Sequence, residues 1–122
     1  MSNPTNAVSW AEIPVTDMER AKRFYGAVMQ APLVDNPHGP NPMADFAHEG
    51  GVSGHIYPGR PAASGTGSTI HLTAAGALED VMERVREAGG TVASPIIDIP
   101  VGRFFYAQDL DGNSLGFFEH TA

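Results

Sequence analysis

WAEIPVTDMERAKRFY, running from Trp10 to Tyr25, decides the fold of this chain. Val8 to Val15 is short and apolar and reads as a strand, and a helix signal follows it at once. Thr16 and Glu19 have the spacing of a capping box, a hydroxyl followed three residues later by a carboxylate. Met18, Ala21, Phe24, Tyr25, Val28 and Met29 then recur at helical spacing, so one helix face packs on a sheet. Arg20, Lys22 and Arg23 fall mostly on the opposite face and read as solvated surface.

Working outward, Pro32 to Pro42 is rich in Pro, Asn and Gly and is expected to be irregular. Met43–His48 and Val52–Tyr57 read as short strands separated by the Gly50-Gly51 turn, and Pro58 to Gly67 is a second breaker stretch. The pattern then restarts. Ser68 to Ala74 reads as a strand, and Leu78, Val81, Met82, Val85 and Ala88 mark an apolar helix face that ends at Gly89-Gly90. Thr91–Ala93 (extending as far as Ile97), Phe104–Gln108 and Ser114–Phe118 are the remaining strands, the last two joined as a hairpin by Asp109 to Asn113. The chain is therefore read as an α+β domain of two tandem βαβββ modules. Module one spans about residues 7–57, a linker about 58–67, and module two about 68–120. Trp10 and Thr69, and likewise Glu12 and His71, fall at equivalent strand positions of this internal repeat.

Composition bounds what such a domain does. With 122 residues the chain has the length of one domain, and its net charge of −7 argues against a nucleic-acid partner. No cysteine is present, which excludes disulfides, thiolate metal sites and cysteine nucleophiles. No apolar run approaches the roughly 20 residues that span a bilayer. The first residues have neither the basic start nor the apolar stretch of a signal peptide, so a cytoplasmic protein without membrane contact is expected. The glycine-rich stretches lack the strand-to-helix context of a phosphate loop, and no serine sits in a nucleophile elbow.

Trp10 to Tyr25, Glu87-Ala-Gly-Gly-Thr-Val92 and Gln108-Asp-Leu-Asp-Gly-Asn113 together resemble the vicinal oxygen chelate superfamily of glyoxalases, bleomycin-resistance proteins and dioxygenases. The resemblance covers nearly the whole chain. It implies two modules curling into a cupped, barrel-like mixed sheet around one small-molecule cavity, usually completed by a homodimer. Many members hold one divalent metal with four side chains. Carried onto this sequence, those positions are Trp10, Gly54, Thr69 and Gly116, none of them a useful ligand, so no metal or other cofactor is expected.

Side chains alternate along a strand, so if Trp10 and Thr69 point into the cup, Glu12 and His71 do too. A carboxylate and an imidazole facing each other across a cavity form an acid/base pair, which suits a metal-independent lyase or isomerase acting next to a carbonyl. The alternative is sequestration of a small molecule without chemistry. Trp10, Thr69, Arg103, Phe105, Phe118 and His120 are the candidate ligand contacts. Arg103 is a possible anchor for an anionic group, Trp10 a flat face for stacking. His38, His48 and His55 read as surface or satisfied histidines, with His55 facing opposite to Gly54.

Overall fold

A computed structural model describes residues 6–39 and 41–120. Module one runs β1 (Ala11–Val15), α1 (Met18–Met29), β2 (Val34–Asn36), β3 (Met43–Asp45) and β4 (Gly54–Pro58). Its sheet has the order β1-β4-β3-β2, with β1 parallel to β4 and the other pairs antiparallel. Module two runs β5 (Ile70–Thr73), α2 (Leu78–Glu87), β6 (Thr91–Val92), β7 (Ile97–Ile99), β8 (Gly102–Gln108) and β9 (Ser114–His120). Here β5 is parallel to β9, β9 antiparallel to β8, and both β6 and β7 pair with β8. The α+β class with two repeated units is thus the observed architecture. The sheets have four and five strands and do not close into a barrel.

Three local details differ from the sequence reading. The α1 cap is Asp17, whose carboxylate accepts from Arg20 N, while Thr16 turns away to the carboxylate of Asp111. Val34–Asn36, inside the stretch expected to be irregular, adds an edge strand opposite Met43–Asp45. The strand expected from Thr91 towards Ile97 is interrupted instead. Pro95 has no N–H to give the ladder, and Tyr106 N donates to Ser94 Oγ at 2.8 Å in place of a backbone carbonyl.

One core serves both modules. Ile13 and Val15 of β1 and Ile56 of β4 pack with Phe24, Tyr25 and Val28 of α1. Leu78, Val81 and Val85 of α2 join the same cluster with Phe105 of β8 and Leu115 and Phe117 of β9. Polar bonds cross the seam as well. Buried Asp109, in the β8–β9 turn, accepts from the Tyr25 hydroxyl, and Asn113 Nδ2 donates to Pro14 O at 2.8 Å. Burial, helped by the neighbouring Asp109 charge, pushes the Tyr25 phenol well above its ordinary pKa, so it stays a donor. No helix among the described residues is long and apolar enough to cross a membrane.

Candidate functional site

Because the core claims Ile13, Val15, Ile56, Leu115 and Phe117, strand alternation sends their neighbours to the opposite, open face of each sheet. In module one that face carries Glu12 beside His55, which are cross-strand partners. In module two the equivalent row is His71 beside Gly116, followed by Tyr106 on β8. Each of Glu12 and His71 is the second residue of its module's first strand and pairs with the module's last strand.

The two rows are built differently. Trp10 Nε1 donates to His55 Nδ1 at 2.8 Å. An indole nitrogen only donates, so His55 carries its proton on Nε2, which lies 3.3 Å from Glu12 Oε1. His55 is buried, whereas Glu12 is exposed. In module two, Gly116 has no side chain, and the His71 ring lies over it: a Cβ there would sit 2.2 Å from His71 Nδ1. Among the described residues the imidazole is ringed by aromatic neighbours, with centroids 5.4 Å away for Phe104, 5.9 Å for Tyr106 and 6.3 Å for Phe118. The edge of the ring is still open to solvent. These neighbours nonetheless withdraw enough water to lower the His71 pKa from its ordinary 6.5, which favours the neutral form.

A cleft of about 880 Å³ opens between the modules. Its walls come from Thr69 and β5, from Asn6 to Val8, Ala11, Met29, Phe46 to His48 and Val52 to Gly54 on the side of module one, and from His120. A second pocket of about 360 Å³ meets it along His71, Leu72, Thr73 and His120, and adds Ile99, Phe104 and Phe118. His71 therefore stands where the two join. Charged residues make up 17% of the chain, yet the described walls of both cavities contain no Asp, Glu, Lys or Arg.

The expected site residues divide into those that reach these cavities and those that do not. Thr69 and His71 line the cleft, Phe118 the adjoining pocket, and His120 both, with its ring 4.6 Å from that of Phe118. Thr69 Oγ1 also shares a hydrogen bond with Ser114 Oγ at 2.6 Å. Glu12 is not brought to His71: it lines a separate pocket of about 160 Å³ beside Asn113 and Ser114. Trp10 stands behind His48, with ring centroids 5.9 Å apart, and its one donor is spent on His55.

Two expected contacts need correcting. Phe105 is fully buried against Phe117 in the core, and its neighbour Phe104 is the ring that faces the pocket. Arg103 is not free to anchor an anion. Its guanidinium is held by Glu119 at 2.8 Å and by Glu79 at 2.9 Å, which raise its pKa further and depress those of both carboxylates. His55, read as facing away from the cup, shares the open face with Glu12 because β4 pairs with β1 one residue out of step with the expected position at Gly54. The signal was available in the alternation His55, Tyr57. Tyr106 was missed, since only its alternation with Phe104 marks it.

A divalent metal of the kind the resemblance implies does not fit these residues. Gly54 and Gly116 offer no donor atom, the Trp10 nitrogen is a donor, and both nitrogens of His55 are already engaged. Among the described residues no group of three or more His, Asp or Glu is placed to hold an ion.

Comparison with known proteins agrees with this architecture. Residues 7–117 match the Glyoxalase/Bleomycin resistance protein/Dioxygenase superfamily. No curated protein sequence matches the chain. Among solved structures, a glyoxalase/bleomycin resistance protein from Streptomyces sp. CB03234 is 27% identical, with a TM-score of 0.68 over 91% of this chain and 98% of its own. TnmS3, an antibiotic binding protein from the same Streptomyces strain, is 25% identical, with a TM-score of 0.67 over 98% of this chain and 100% of its own. The fosfomycin resistance protein FosX from Listeria monocytogenes shares the fold at 16% identity, with a TM-score of 0.70 over 98% of this chain and 94% of its own.

Proposed function

The chain belongs to the glyoxalase/bleomycin resistance protein/dioxygenase superfamily, and from that premise we propose that it is a small-molecule binding protein that captures an organic ligand at His71. The observation that carries this reading is the cleft itself. Its volume of about 880 Å³ is that of a pocket for a drug-sized molecule, typically about 300–1,000 Å³. It offers an aromatic surface and a few neutral hydrogen-bonding groups, and none of its described wall residues pairs a carboxylate with an imidazole. Binding needs no more than that. The likeness to an antibiotic binding protein supports the same class of ligand, an organic natural product. No metal takes part in this reading, and a cytoplasmic setting suits it.

His71 is the anchor. The glycine opposite leaves its ring without a side-chain partner across the strand pair, so no side chain there competes with a ligand for it. Ile99, Val101 and Tyr106 of module two are exposed apolar groups, and we propose that a second copy of the chain covers this side in a homodimer. Calorimetric titration with a panel of aromatic natural products tests the binding reading. Wild-type protein binds at least one of them in the micromolar range, and His71→Ala loses about tenfold in affinity, about 1.4 kcal/mol. Equal affinity for both proteins contradicts it.

A proton-transfer enzyme is the second reading, with Glu12 acting as acid or base on the row of His55, since Glu12 and His71 line different cavities. The observation favouring it is the Trp10–His55–Glu12 array, which fixes one tautomer and holds an exposed carboxylate in place. On that reading Glu12→Gln abolishes turnover of whichever bound compound is consumed.

A further inference from the structure

Resting on the reading of the cleft as the binding site, we infer that its ligand is an electrically neutral, planar aromatic compound and that the protein discriminates against charged relatives of it. The wall composition carries this. The chain holds fourteen acidic and seven basic residues, yet the described walls of the cleft and of the pocket beside it have none of either. A ligand bringing a charge inside surrenders its hydration and finds no counter-charge, and desolvating an unpaired ion is far costlier than desolvating a neutral polar group.

Each sign of charge can be followed further. An anion meets no lysine or arginine: Arg103, close in sequence to Phe104, is fully occupied by Glu79 and Glu119. A cation gains the pull of the net charge of −7 from a distance, but at physiological salt that pull is screened within about 8 Å. Glu12 does not supply the missing counter-charge, because it lines a different pocket and faces His55. The rings of Phe104 and Phe118 lie nearly parallel, 6° apart, with centroids at 5.8 Å. Stacked in this way, they line the pocket beside His71 with aromatic surface against which a planar ring can pack. The polar side chains that remain are Asn6, His48, Ser53, Thr69, Thr73, His71 and His120, all of them hydrogen-bonding groups with no fixed charge. Side chains of these kinds donate to a neutral carbonyl or accept from a neutral hydroxyl without needing a charge on the ligand.

The test uses three probes with one ring system: naphthol, naphthalenesulfonate and naphthyltrimethylammonium, titrated calorimetrically at neutral pH and physiological ionic strength. Naphthol is expected to bind at least tenfold more tightly than either charged probe, about 1.4 kcal/mol. Thr73→Glu places a carboxylate at an exposed strand position that lines both cavities, and it should turn the order round in favour of the trimethylammonium. If a charged probe binds wild-type protein as tightly as naphthol does, the charge discrimination is wrong while the cleft remains a binding site. If none of the three binds at millimolar concentration, the cleft is not an aromatic binding site and both readings fall.

Discussion

Glu12–His55 in module one and His71–Gly116 in module two occupy the same place in the same unit, yet one is closed and the other open. In the first, both strands contribute a side chain, and Trp10 completes a chain of contacts that uses the ring nitrogens. In the second, one strand contributes nothing, so the imidazole lies over bare backbone among aromatic rings. The difference shows how a duplicated fold separates its duties. A filled row satisfies itself and stabilises the sheet, whereas a row with a glycine in it leaves one group for something else to bind.

The seam between the modules predicts the largest effect. Asp109 accepts from the Tyr25 hydroxyl and from Asp111 N, Asn113 N and Asn113 Nδ2. Asp109→Ala strips these donors of a buried partner and should cost about 3 kcal/mol in urea unfolding. A loss under about 1 kcal/mol would mean that the modules do not depend on this joint.

Paired substitutions in the two rows sharpen the comparison. His55→Ala leaves the Trp10 donor without its partner and should cost about 1–2 kcal/mol of stability, with ligand affinity nearly unchanged. Gly116→Ala should do the reverse. Its new methyl overlaps the His71 ring as far as Cγ and forces the ring aside, so affinity falls about tenfold, about 1.4 kcal/mol, while the unfolding midpoint falls less than in His55→Ala. If both variants lose stability and affinity together, the division between the rows is wrong.

The smallest effect is on pH dependence. Burial holds the His71 pKa below its unfolded value of 6.5, so as pH falls through that value the unfolded chain takes up a proton that the folded chain resists. Stability from this source is complete above pH 6.5 and is lost on acidification. His71→Phe, which cannot titrate, should therefore show a shallower fall in melting temperature between neutral and mildly acidic pH. Parallel curves would contradict it.

Much of this was legible from residue spacing alone. The apolar stripe of Met18 to Met29 gave the first helix, and Gly89, at φ 95°, ends the second. Alternation from His71 gave Thr69 as a neighbour on the open face, and both line the cleft. Parity failed where a strand carries aromatic residues on both faces. Phe104 and Phe105 are equally apolar, and only the pairing of β8 with β9 decides that Phe105 enters the core. Arg103 misled for another reason, since one of its partners, Glu79, is 24 residues away on a helix. The one-residue offset of His55 was visible only as the alternation His55, Tyr57, because a short strand flanked by glycines does not fix its own register.

Histidine-selective NMR of the whole chain during titration with naphthol tests most directly whether ligand binds on the row of His71. The five histidines report from both rows and from the cleft at once. The ring signals of His71 and His120 are expected to move with ligand while those of His55 stay still. Movement of His55 with an unchanged His71 would place the site on the row of Glu12 and contradict binding at His71.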